Sequence, residues 1–202
     1  MPPKGERRKQ QIIDTAKEMF IEKGFQSTHI GQVCEKLNIA RGTVYQYFSN
    51  KKEILYAILT SVVDKIDDIM DPDDLQDFMN SGNDRSLVIK LINKRISDSI
   101  SVLLGEPIVI KLIFKEVVGI DMDVINTVNR YVGQIEKIIA REISEIKKLG
   151  MFRQDVDPDI TSSMIIGAVM VIVYEYDRRK DDVTAPSVVE KITDNYLNGI
   201  LS

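Results

Sequence analysis

The 202-residue sequence contains no tryptophan, one cysteine and one histidine. The lone cysteine, Cys34, excludes an internal disulfide and any multi-cysteine metal site. His29 has no second histidine or cysteine at ligand spacing, so neither a metal nor a cofactor is expected. Clustered carboxylates and glycine-rich phosphate loops are lacking too. Nucleophilic, metal-dependent and nucleotide-dependent catalysis are therefore left without a residue set, and the chain does not read as an enzyme. There is no strand-like alternation, internal repeat or low-complexity stretch, which leaves an all-α class. The basic amino terminus, MPPKGERRKQQ, leads into no apolar segment, so no secretory signal is expected. The longest strongly apolar run, Met164 to Tyr174, is shorter than the roughly 20 residues a membrane-spanning helix needs. A buried helix, no membrane partner and a cytoplasmic location are the corresponding expectations.

What is present is ordinary in amount: 44% hydrophobic and 29% charged residues, enough for a real core. The charge is unevenly placed. Residues 1–60 carry +4 (10 Lys+Arg against 6 Asp+Glu), and residues 61–202 carry −8 (17 against 25). A basic head on an acidic body suits a protein that touches nucleic acid at one end.

The spacing predicts a helix from about Lys9 to Lys23, with Ile12, Ile13, Ala16, Met19 and Phe20 on one face and a mobile basic arm before it. Gly24 stops this helix as a left-handed terminal residue. Thr28 is placed to cap a second helix, which reaches Leu37 and buries Val33 and Cys34. Asn38 takes the left-handed turn. A third helix starts at Arg41, with Val44 and Phe48 inward. Its other side offers Arg41, Thr43, Gln46 and Tyr47, with no acid between Lys36 and Lys51. A solvated face is ordinarily rich in Lys and Glu, whereas these groups can reach base edges or phosphates. Residues 30–51 therefore read as a helix-turn-helix. Further helices are expected over about 51–70, 84–104, 107–118, 122–149, 157–179 and 186–201. The third of these six, PIVIKLIFKEVV, is apolar nearly all round, so it should be central. In the fourth, Ile125, Val128, Val132, Ile135, Ile139, Ile146 and Leu149 recur at close to 3.5 residues, a seam for an antiparallel neighbour.

Over residues 9–59 the chain resembles the tetracycline-repressor-like (TetR) family of bacterial transcription regulators. The resemblance rests on Gly24-Phe25, Thr28, Ile30, Val33, Leu37, Ile39, Gly42-Thr43-Val44-Tyr45, Tyr47-Phe48, Lys51 and Leu55. It covers about a quarter of the chain. Residues 150–158, GMFRQDVDP, also resemble the turn before the penultimate helix of many members. Cys34 stands where alanine is usual, and Ala40 where serine is frequent, which weakens the cap on the third helix. The resemblance implies a three-helix head (1–50) and a larger antiparallel helical-bundle body (51–202) for ligand binding and dimerisation. It implies a homodimeric repressor that leaves a double-stranded operator when a small-molecule effector binds the body.

Carried over by position, Arg41 and Gln46 contact bases, and Thr43 touches a thymine methyl or a phosphate. Tyr45, Tyr47 and Lys51 grip phosphates, Thr28 adds a further phosphate contact, and Gly42 keeps the helix start slim. Two stripes are expected to form the dimer: Met164, Gly167, Ala168, Val171 and Ile172, and Val188, Val189, Ile192, Tyr196 and Ile200. For the effector pocket the polar candidates are Lys111, Lys115, Glu116, Arg130, Tyr131, Gln134, Tyr174 and Glu175. Few aromatics and no tryptophan point to an aliphatic ligand. The competing reading is an all-helical small-molecule-binding or protein-interaction module without specific DNA binding.

Overall fold

The structure is a computed structural model, described here for residues 3–71, 73–74, 85–114 and 122–179. Eight helices lie among these residues: α1 (Lys4–Lys23), α2 (Ile30–Leu37), α3 (Arg41–Tyr45), α4 (Lys51–Ile69), α5 (Arg85–Leu104), α6 (Pro107–Phe114), α7 (Met122–Lys148) and α8 (Pro158–Arg179). No β-strand occurs among the described residues. The helix expected over 186–201 lies outside them, as do residues 115–121. The chain divides into two compact units, residues 1–62 with 107–130 and residues 63–106 with 131–202.

In the first unit the apolar positions read from the sequence make the core. Ile12, Ala16, Met19 and Phe20 of α1, Val33 and Cys34 of α2, and Val44 and Phe48 around α3 are all buried. Phe25 is buried too and meets Phe20 edge-on, with ring centroids 5.1 Å apart. Helix α6 packs on α1 and supplies buried Ile108, Ile110 and Leu112. Helix α1 starts at Lys4, well before the expected Lys9. Its first two turns are polar on every side, so apolar periodicity could not reveal them. Gly24 has the positive φ of 84° that favours glycine, but with an extended ψ of 155° rather than a left-handed helical one. Asn38 sits at φ 51°, ψ 50°, the left-handed turn conformation.

The second unit holds a separate core in which Val88 of α5, Ile143 and Ile146 of α7, and Phe152 and Val156 of the following turn pack together. Gly150, at φ 74°, allows the turn after α7. Helix α8 is long and apolar enough to cross a membrane by length and composition, a test that core helices of soluble proteins also pass. Along it Ile160, Met164 and Val171 are exposed, whereas Ile166, Val169 and Val173 are buried.

Candidate nucleic-acid interface and an apolar cavity

The turn between α2 and α3 is fixed from the inside. Val33 and Val44 are buried, Lys36 reaches Glu18 of α1 at 2.9 Å, and the Asn38 and Ile39 N–H groups close the end of α2. With that side committed, α3 presents Arg41, Gly42, Tyr45 and Gln46 to solvent, while Thr43 and Tyr47 are half-buried. Tyr45 is 54% exposed, a large value for a phenol and one that its packing does not account for. Beyond its chain neighbours and its own helix backbone, no atom of the described residues lies within 4 Å of where a Gly42 side chain would start, so packing does not demand glycine there. Ala40, at the N-cap of α3, makes no side-chain cap hydrogen bond, in keeping with the expected weak cap.

Arg41, Tyr45 and Lys51 line an open polar depression with His29, Gly31, Gln32 and Glu35. Gly31 is a participant that motif reading passed over. A β-carbon there would stand 2.9 Å from Arg41 Nη2, so the missing side chain is what lets the guanidinium lie against α2. Two expected phosphate contacts are placed differently from expectation. Thr28 is buried, and its hydroxyl donates to the Gly24 carbonyl at 2.9 Å and the Met19 carbonyl at 3.3 Å, so it faces the core. The N-cap of α2 is instead His29, whose backbone N–H donates to Gln32 Oε1 at 3.0 Å. The Lys51 ammonium donates to the carbonyls of Phe25 and Gln26 at 2.8 Å and of Thr28 at 3.1 Å, and lies 4.7 Å from the centroid of the Phe25 ring. Its charge secures the loop that carries α2. Tyr47 extends toward α1, its hydroxyl 3.8 Å from a β-carbon built on Gly5.

A second concavity lies within the second unit. Its volume is about 110 Å³, and it is lined almost wholly by aliphatic side chains of α4, α5, α7 and α8, with Phe152 the single aromatic among them. None of the described pocket candidates read from sequence lines it. Lys111 donates to the Ile21 carbonyl at 3.0 Å in the first unit, Arg130 and Gln134 are exposed, and Tyr131 and Tyr174 are half-buried elsewhere. Glu175 bonds Arg178 at 2.8 Å and Arg179 at 3.2 Å on the surface, and its carboxyl is held below the usual range chiefly by Arg178. Lys115 and Glu116 lie outside the described residues.

The polar groups that do line the cavity are Arg95, Ser99 and Glu142. Arg95 is buried, ion-paired through Nη1 to Glu142, with Nη2 donating to the Asp71 carbonyl at 2.7 Å and lying 3.7 Å from Asp74. Burial lifts the Glu142 carboxyl above its ordinary range, and the Arg95 charge opposes that shift. A signal for Glu142 existed. The α7 seam calls for an apolar residue between Ile139 and Ile146, and Glu142 occupies that place. No group of three or more His, Cys, Asp or Glu side chains is arranged as metal ligands among the described residues.

On α8, Met164, Gly167 and Val171 are exposed, and Ala168 and Ile172 are half-buried. The other expected dimer positions, Val188, Val189, Ile192, Tyr196 and Ile200, lie outside the described residues.

Comparison with known proteins gives three kinds of match. Residues 12–58 match the family model of bacterial regulatory proteins, tetR family. The transcriptional regulator HbdR of Aromatoleum sp. (strain CIB) is 39% identical over 59 residues, which span 29% of this chain and 26% of that protein. The fatty acid metabolism regulator protein of Bacillus subtilis (strain 168) is 23% identical over 179 residues, 88% of each chain. Among solved structures, the fatty acid degradation regulator FadR from Bacillus halodurans superposes with a TM-score of 0.78 at 19% identity, over 95% of both chains. FadR from Bacillus subtilis, solved in complex with stearoyl-CoA, gives 0.70 at 18% identity, over 92% of this chain and 95% of that one. At these identities the structural likeness is one of fold.

Proposed function

We propose, from the match of residues 12–58 to the family model of bacterial regulatory proteins, tetR family, that this chain is a DNA-binding transcriptional regulator of that family, and that it is a homodimeric repressor released from a palindromic operator by a small apolar effector. In this reading residues 1–50 bind DNA and residues 51–202 bind the effector and dimerise. The observation that carries the DNA side is the outward row of Arg41, Tyr45 and Gln46 on a helix whose Val44 is buried. Arg41 and Gln46 read bases in the major groove, guanidinium on guanine and amide on adenine. Thr43, Tyr45 and Tyr47 hold sugar-phosphate, which fixes register. Gly42 leaves room for the duplex. Lys51 and Thr28 act from behind, by holding the loop whose N–H groups at the start of α2 face a phosphate.

The cavity supports an aliphatic effector, because an alkyl chain matches its lining and a solved structure of similar fold carries stearoyl-CoA. Helix α4 begins at Lys51 and contributes Ile66 to the cavity, with Met70 directly after its end, so a ligand that displaces that end has a covalent route to the DNA-binding residues. The exposed apolar stripe Ile160, Met164, Val171 supports a second copy of the chain on α8. A cytoplasmic location follows from the DNA-binding role.

Selection of bound duplexes from random DNA tests the reading. A palindrome is expected with half-sites roughly 34–36 Å apart, or a multiple of that. Affinity should fall steeply with salt as counterions are released. Binding no better than to random duplex would refute the regulator, and a monomer at micromolar concentration by sedimentation would refute the dimer.

A further inference from the structure

The cavity of the second unit is aliphatic except at one patch, where Arg95, Ser99 and Glu142 come together. Arg95 is 2% exposed, and two of its three nitrogens are engaged, Nη1 by Glu142 and Nη2 by the Asp71 carbonyl. Its Nε has no hydrogen-bond partner. Ser99 Oγ, one helical turn further along α5, is buried without a partner as well, and Glu142 Oε2 accepts no hydrogen bond beyond its ion pair. Buried donors and acceptors are ordinarily satisfied, so unmet ones facing a cavity mark where a polar partner belongs. The charges restrict what that partner is. The Arg95 guanidinium is already committed to Glu142 and lies near Asp74, so an entering anion meets the Glu142 carboxyl group and, among the described lining residues, no uncommitted cation.

We infer that this patch recognises a single uncharged oxygen, a hydroxyl or an ester-type carbonyl, on an otherwise aliphatic effector. The inference rests on the effector reading of the cavity given above. Arg95 Nε–H and the Ser99 hydroxyl donate to that oxygen. When the oxygen belongs to a hydroxyl, Glu142 accepts its proton as a hydrogen bond. A carboxylate offers nothing to Glu142 and is repelled.

Displacement of the fluorescent apolar probe N-phenyl-1-naphthylamine from the full chain tests this, with decan-1-ol, methyl decanoate and decanoate as competitors. The chain should prefer the alcohol, or the alcohol and the ester, over the carboxylate by about tenfold or more. The double variant Arg95→Met, Glu142→Leu, which replaces the ion pair by apolar side chains and should stay folded, should keep binding decyl chains but lose that order. Preference for the alcohol alone assigns Glu142 as acceptor, and equal preference for the ester assigns the donors alone; both support the inference. Equal binding of all three competitors, or a preference that survives in the double variant, would overturn it while leaving the cavity an apolar effector site. Failure of the wild-type chain to bind probe or any competitor would overturn the effector reading itself.

Discussion

In the first unit the groups assigned to recognition lie on the surface: Arg41, Tyr45 and Gln46 are exposed and rest on a core of Val33, Val44 and Phe48. In the second unit the corresponding groups are enclosed: Arg95 and Glu142 form an ion pair inside an aliphatic cavity. The contrast separates affinity from stability. A side chain that projects into solvent can be altered at little cost to folding, and its loss is felt by the partner alone. A buried charge is tied to folding and ligand at once, because removing one member strands the other away from water.

The sharpest way to break this contrast is Arg95→Ala. It should lower the unfolding free energy by about 3–5 kcal/mol, whereas Arg95→Met with Glu142→Leu should be near neutral or stabilising; urea denaturation of the three proteins decides. Lys51→Ala tests whether the first unit holds one such internal charge of its own. Losing three carbonyl partners should cost about 1–3 kcal/mol by the same measurement, and an unchanged midpoint would return Lys51 to the phosphate-contacting surface. Arg41→Ala should leave stability within about 0.5 kcal/mol. Competition binding should then show a loss of roughly 1–3 kcal/mol in discrimination at one base pair. Equal losses on specific and random duplex would show that Arg41 does not read a base.

The smallest effect is pH dependence. Burial, ahead of the opposing Arg95 charge, raises the folded-state pKa of Glu142, so the folded chain keeps that proton to higher pH than the unfolded chain. The stability this group contributes is complete below its unfolded pKa and is lost as pH rises through the folded value. Glu142→Gln should remove that component, so the variant's Tm should fall less than the wild type's as pH rises above the unfolded glutamate value of about 4.3.

The same contrast explains what the sequence makes legible. The turn of the first unit is readable because residue types are tied to geometry: Asn38 for the left-handed turn, Val44 and Phe48 four apart for the inner face, and an acid-free outer face. Local competition is harder to see. The Thr28 hydroxyl has two uses within reach, and burial takes it to the Gly24 and Met19 carbonyls while His29 starts the helix. The cavity is least legible, because its lining of isoleucine and other aliphatic residues has the same periodicity as a filled core. Polar residues beside the apolar stripes, such as Arg130 and Glu175, lie at the surface instead. The informative pattern was the reverse, a charged residue standing on an apolar stripe: Arg95 between Ile92 and Ile96, and Glu142 between Ile139 and Ile146.

The central claim is that occupancy of the cavity is read out at the outward face of α3. Fluorescence anisotropy of a selected operator duplex, titrated with the full chain with and without saturating decan-1-ol, measures this directly. The account predicts tight, salt-sensitive binding without the alcohol and an affinity at least about tenfold lower with it, a coupling of roughly 1.4 kcal/mol. An operator affinity unchanged while the alcohol demonstrably fills the cavity would contradict it.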